Sequence, residues 1–261
     1  MKLQRFYHEY EKYLPPSLAC EWDHDGVQCM TDKDREVRRI VCTLDITEAV
    51  VSHAIECGAD LIVSHHPLLF KPLYALTDET PASSCLMRLA MHGIGVFSFH
   101  TRADAVSGGT SDLLAARIGL MNVRESETEE GPLLRVGTLP SPMSVRDFAA
   151  HVRDALGADA VNLAARDGDK EILRVAVSGG EGGDFIADAA RAGADVFVSG
   201  RIGYHRMLDA AQSEMAAIEV GHYASEREIV FFLAQIAKQI DKDAEIVLYA
   251  PKTLTVLTKE K

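Results

Sequence analysis

Cysteine is scarce in this chain and poorly placed for pairing. Cys20, Cys29, Cys42, Cys57 and Cys85 are odd in number, all lie early in a 261-residue sequence and show no CxxC spacing. That argues against a disulfide framework or a thiolate zinc knuckle and points to a reduced, cytoplasmic setting. Cys42 and Cys57 read as small core residues of a strand and a helix. Long apolar runs are also missing. None approaches the ~20 residues of a membrane span, and Met1–Tyr10 holds no signal-peptide core, so the expectation is a protein neither secreted nor membrane-spanning. Positive charge is in deficit: 27 Lys and Arg stand against 39 Asp and Glu, a formal net charge of -12 that disfavours nucleic acid as a partner. Divalent ions would reverse that sign locally, so a small anionic ligand remains compatible.

What the chain does have is apolar content, 47% of residues, enough for the core of one large α/β domain or two lobes. Its periodicity alternates. Strands are expected at Ile40–Leu44, Asp60–Ser64 and Gly95–Phe99, with helices at Thr47–Cys57, Ser83–His92 and Ser111–Ile118. An extended stretch at Leu133–Thr138, a helix at Ser144–Leu156 capped by Ser144 and a short strand at Ala160–Ala164 follow. The alternation then restarts, with strands at Leu173–Val177, Val196–Ser199, Ala217–Val220 and Glu245–Leu248 and helices at Phe185–Ala192, His205–Gln212 and Ser225–Ile240. Strands alternating with helices predict mostly parallel or mixed sheets in a three-layer αβα arrangement. The two βα-rich segments divide as residues 1–125 and 126–261, with Glu125–Gly131 an acidic loop at the join. Gly58-Ala59-Asp60 before one buried strand is echoed by Gly193-Ala194-Asp195 before another. The echo fits either a pseudo-duplicated fold or ordinary αβ-loop chemistry.

The chemistry gathers at strand ends, where open α/β sheets place their ligand sites. Leu61-Ile62-Val63-Ser64 runs into His65-His66-Pro67; Phe99 leads to His100 and Asp104; Val220-Gly221 leads to His222 and Glu226. Imidazole and carboxylate are the donors that Zn, Fe, Mn, Ni or Co accept. A lone strand-end histidine is usually only a satisfied polar residue; three such ends, two with a carboxylate four residues after the histidine, favour metal. His222 and Glu226 converge if a helical turn begins early, with Ser225 as a possible cap. Asp104 sits in what reads as a loop and is taken as the ligand, with His100 a supporting or substrate-contacting group. Strand alternation would send His65 and His66 different ways, which two ions bridged by carboxylate would accommodate. Ser178-Gly179-Gly180-Glu181-Gly182-Gly183-Asp184 is either a tight turn or a cradle for an anion. His205, after Tyr204, is a candidate general acid or base, or a solvated helix-start histidine.

Taken together, several segments in one order resemble the Nif-three-like dinuclear-metal proteins, often named GTP cyclohydrolase 1 type 2 homologues. They are Glu21-Trp22-Asp23 with Asp25-Gly26-Val27-Gln28, Leu44-Asp45-Ile46-Thr47, Ser64-His65-His66-Pro67-Leu68-Leu69-Phe70, and His100-Thr101 with Asp104. The series continues with Ser178-Gly179-Gly180 and Gly182-Gly183, Gly193-Ala194-Asp195, Tyr204-His205 with Asp209-Ala210, and Gly221-His222-Tyr223 with Ser225-Glu226. The resemblance implies two divalent ions per subunit held by His65, His66, Asp104, His222 and Glu226. It also implies a two-lobed subunit whose lobes intertwine as one metal-binding unit, a toroidal homohexamer, and a compact form without the inserted central domain of longer relatives. The sequence departs from the family at Arg102 and Arg201, where it commonly has Asn and an acidic residue. Each departure is expected to set a fixed cation beside the site, favouring an anionic substrate or weakening metal affinity.

The expected activity is metal-dependent hydrolysis of a small nucleotide-like or phosphorylated molecule, with His205 or His100 moving the proton. The competing expectation is a non-catalytic metal-binding ring that stores metal, regulates or scaffolds.

Overall fold

The computed structural model describes residues 1–255. Its elements begin α1 (Leu3–Tyr13), β1 (Gly26–Cys29), β2 (Arg39–Thr43), α2 (Glu48–Glu56), β3 (Leu61–Ser64), α3 (Pro81–Met91), β4 (Gly95–Ser98), α4 (Thr101–Ala105) and α5 (Thr110–Arg117). There follow β5 (Met121–Thr128), β6 (Gly131–Ser144), α6 (Val145–Leu156), β7 (Asn162–Ala164), β8 (Glu171–Ser178), α7 (Ile186–Arg191), β9 (Val196–Ser199) and α8 (Tyr204–Ala210). The series closes with β10 (Ala216–Glu219), α9 (His222–Glu226), α10 (Ile229–Ile240) and β11 (Glu245–Leu248).

Two units result, each a mixed α/β layer structure. The first comprises residues 1–103 and 229–251 around the sheet β1-β4-β3-β2-β11, parallel except at β1. Alternation along its strands loads both faces. Val41, Ile62 and Val96 pack on α2 and α3 through Val50, Ala54 and Leu89. On α1, Tyr7 lies edge-on to Phe97, and Tyr10 donates to the Leu233 carbonyl of α10 at 2.7 Å. Burial pushes the Cys42 thiol up to about 12, so it is an inert core residue, as its strand position suggested.

The second unit, from Asp104 to Glu228 with residues 252–255, is built on β5-β6-β8-β9-β10-β7. Val175, Val177, Val196, Val198 and Ile218 face Leu114 of α5 and Phe148 and Val152 of α6. The alternate residues Ala176, Phe197 and Ala217 face Ala189 of α7 and Ala210 of α8.

Three expectations need correction. The units are not contiguous halves divided near residue 125: β11 pairs in parallel with β2, Glu245 opposite Arg39, so the last helix and strand return to the first sheet. The expected helix Ser225–Ile240 is two helices separated by a turn at Arg227 and Glu228. The acidic stretch is not a loop: β5 runs to Thr128 and turns tightly into β6, a solvent-facing edge strand whose polar side chains disguised it. Among the described residues, no helix is long and apolar enough to cross a membrane.

Candidate metal centre

In the first unit, parallel register sets the site. Thr43 pairs with Ser64 and Ser64 with Ser98, so β2, β3 and β4 end at one level. Their exits remain tied: His66 N–H donates to Leu44 O at 2.9 Å, Phe99 N–H to Ser64 O at 2.9 Å, and the Ser64 and Ser98 hydroxyls meet at 2.7 Å. His65, His66 and His100 leave from these ends and converge, with potential ligand atoms all within 4.8 Å of one another. The expectation that His65 and His66 diverge fails because β3 ends at Ser64; beyond it the alternation no longer applies, and the ring centroids lie 4.8 Å apart.

Each ring is held by its Nδ1 atom. His65 Nδ1 is 3.0 Å from Phe99 O, His66 Nδ1 is 2.7 Å from Asp45 Oδ1, and His100 Nδ1 is 3.1 Å from Asp23 Oδ2. A carbonyl oxygen can only accept, so His65 Nδ1 carries its proton and, in the neutral ring, Nε2 keeps the lone pair. The carboxylates favour the same tautomer in His66 and His100, the arrangement that orients metal-ligating histidines. Burial alone would raise the Asp23 pKa, but hydrogen bonds from His100 and Thr101 outweigh it and hold the carboxyl at about 2.

In the second unit, Glu226 is buried and its Oε2 lies 3.0 Å from His222 Nε2. The turn does begin at His222, on the N-cap Gly221. Ser225 is not that cap. Its hydroxyl donates back to His222 O at 2.8 Å and accepts from Gly180 N–H at 3.1 Å. Gly180, at φ 58°, approaches so closely that a Cβ there would lie 2.2 Å from Glu226 Oε1. Asp104 lies on α4 rather than in a loop, half-buried with Oδ1 out of contact with solvent.

The glycine-rich run is a structural turn rather than an anion cradle. The N–H groups of Gly179, Gly180 and Gly182 are spent on the hydroxyls of Ser111, Ser225 and Ser199. His205 belongs to neither cluster; it stands exposed in the first turn of α8, its ring edge-on to Tyr204. Glu219 fixes the loop before it, accepting from Ile202 N–H at 2.7 Å and Gly203 N–H at 3.1 Å.

The two arginines are not equivalent. Arg102 is buried and its guanidinium is spent: Nη2 is 2.5 Å from Asp25 Oδ1, Nη1 donates to Leu14 O at 3.0 Å, and its charge lies over the Phe99 ring. Asp25 also accepts from His100 N–H at 3.0 Å, so Arg102 braces the histidine's backbone instead of offering a free cation. Arg201 is exposed, 3.7 Å from Glu181, and remains a solvated surface charge. Asp23, Asp25 and Asp45 were present in the motifs without a role. Their partners depend on strand register, and the carboxylates placed just before or after strands were the available signal.

The donor set, imidazole with carboxylate and no thiolate, fits a divalent ion of the Zn, Fe, Mn, Ni or Co group. The family model of Duf34/NIF3 (NGG1p interacting factor 3) matches residues 1–253. A Lactococcus lactis protein named GTP cyclohydrolase 1 type 2 homolog is 34% identical over 97% of this chain and 98% of its own. A solved Staphylococcus aureus structure superposes with a TM-score of 0.88 at 26% identity, covering 99% of both chains. A Bacillus cereus protein related to NIF3 shares the fold, with a TM-score of 0.87 at 21% identity over 99% of both.

Proposed function

The chain belongs to the Duf34/NIF3 family, and we propose that it binds two divalent ions through His65, His66, Asp104, His222 and Glu226 to hydrolyse a small nucleotide-like or phosphorylated substrate. The observation that carries this reading is the convergence of the His65 and His66 imidazoles, each with its Nδ1 atom held by an oxygen acceptor. Such second contacts fix the tautomer and angle that a metal ligand needs.

When bound, the ions supply Lewis-acid activation of water and charge stabilisation at the scissile centre. The protein's own share is orientation and proton transfer. Asp45 and Phe99 O hold His66 and His65 in place. Asp23 holds the His100 ring by its Nδ1 and leaves Nε2 as the ring's other atom for proton transfer. His100 is therefore the favoured proton-transfer group over the solvated His205. Exposed Arg201 is the cation available to a phosphorylated substrate, in a cytoplasmic protein assembled as a ring of six.

Elemental analysis of chelator-free protein tests the metal. About two ions per chain are expected by analogy with paired-metal hydrolytic sites, falling sharply in the His65→Ala, His66→Ala double variant. No metal in either protein after loading with Zn, Mn or Fe(II) overturns the reading. Loss of nucleotide turnover in Glu226→Gln with metal retained supports the enzyme. Bound metal without turnover of GTP or any other nucleotide instead makes the protein a metal-handling ring, with mass in solution reporting the ring itself.

A further inference from the structure

Two large aromatic side chains stand exposed beside the histidine cluster. Trp22 is 48% and Phe70 is 58% exposed, yet their ring centroids are 6.1 Å apart. Each meets His100 edge-on, Trp22 at 6.0 Å and Phe70 at 6.1 Å. The three rings form a triangle at the rim of the cluster, all within the first unit.

The backbone beneath these rings is tied down by hydrogen bonds. Asp23, next to Trp22, accepts from the Thr101 hydroxyl and N–H at 2.7 and 3.0 Å as well as contacting His100. Two residues further on, Asp25 is locked by Arg102. On the other side, Leu68 is buried and Leu69 N–H donates to Gln28 Oε1 at 3.0 Å, fixing the backbone that presents Phe70. Exposed aromatic surface on a firmly anchored base marks a binding surface rather than a loose loop.

We propose that Trp22 and Phe70 form an aromatic wall that takes the planar heterocycle of a nucleobase-like ligand and holds it against His100. This deepens the function proposed above and rests on the histidine cluster being the functional centre. Every nucleobase has a π-face, so the wall selects the class of ligand rather than one base. The indole and phenyl faces supply stacking surface, and His100 supplies the polar edge that gives the ring its orientation.

Trp22 is the only tryptophan in the chain, so its emission, excited at the red edge of the indole band, reports this wall alone. The experiment titrates metal-loaded protein with guanosine, adenosine, ribose 5-phosphate and inorganic phosphate, correcting for ligand absorbance, and measures metal content in parallel. Saturable quenching by the nucleosides and none by the two base-free ligands is expected. Phe70→Ala should weaken nucleoside binding about 5- to 100-fold, Phe70→Tyr should restore it, and neither should change metal content. Absence of saturable nucleoside quenching, or quenching unchanged in Phe70→Ala, overturns the proposal. So does a Phe70→Ala protein that alters only its oligomeric mass, because the wall would then be a contact between copies of the chain. Metal retained without nucleoside binding defeats the wall and leaves the metal reading intact. Nucleoside binding without metal does the reverse.

Discussion

The corner that leads into β3 and the corner that leads into β9 are built from equivalent atoms. Gly58 and Gly193 both take left-handed backbone, at φ 67° and 75°. Ala59 and Ala194 donate back to Ala54 O and Ala189 O, and Asp60 and Asp195 donate to Arg39 O and Arg174 O. Each aspartate then accepts two backbone N–H groups, from Arg38 and Arg39 where β2 begins in one unit and from Leu173 and Arg174 of β8 in the other. At the far ends of the same strands the likeness stops: β3 runs into His65 and His66, whereas β9 runs into Gly200 and Arg201. The frame repeats while the donor chemistry is set by a few residues beyond each strand, so shared architecture alone says little about what either strand end does.

The sharpest contrast is between the arginines. Arg102 and Asp25 are a buried pair, each side chain 3% exposed, so Arg102→Met strands a carboxylate and should cost about 3–5 kcal/mol. Arg201→Met removes a surface charge and should change stability by under about 0.5 kcal/mol. Urea unfolding of the two variants decides this, and equal losses would mean that Arg102 is not the brace its contacts describe.

That contrast also shows what the sequence could and could not disclose. The alternation of buried strands and helices was legible because burial on both faces writes continuous apolar runs, and the strand Val196–Ser199, buried throughout, is found as expected. The donor-bearing strand ends were legible because histidine is conspicuous after such a run. The return of α10 and β11 to the first sheet was not, since nothing local to Glu245 names Arg39 as its partner. Arg102 was misread for the same reason. Its partner Asp25 lies 77 residues away, and only the fold decides whether a charge is free or spent. The tautomer-fixing contacts of His66 and His100 likewise arise from side chains 21 and 77 residues distant.

A smaller contrast lies between the two corner aspartates. Asp60 carries the Arg35 guanidinium, at 3.1 and 2.9 Å, in addition to its two backbone donors, whereas Asp195 has the backbone pair. Asp60→Ala should therefore cost about 2–3 kcal/mol and Asp195→Ala about 1–2 kcal/mol, since bonds to an ionised acceptor are among the stronger ones. A Arg35→Met background sharpens the comparison: with the extra partner gone, the two aspartate substitutions should converge in thermal or urea unfolding.

The smallest effect tests whether the corners are equivalent at all. A side chain at either glycine must adopt left-handed backbone, so Gly58→Ala and Gly193→Ala should each cost about 1 kcal/mol. Space differs slightly. A Cβ at Gly58 meets Arg39 Nη1 only at 3.8 Å, while one at Gly193 would stand 2.6 Å from Arg174 Nη1, the far end of a side chain that can swing away. In swinging, Arg174 gives up its 3.1 Å bond to Gly193 O, an exposed contact whose loss adds a few tenths of a kcal/mol. Paired unfolding measurements should thus agree within about 0.5 kcal/mol, the margin within which independent sites usually add. A silent Gly58→Ala beside a costly Gly193→Ala would show that the backbone conformation is not what the two corners share, and that the arginine beneath Gly193 sets its requirement.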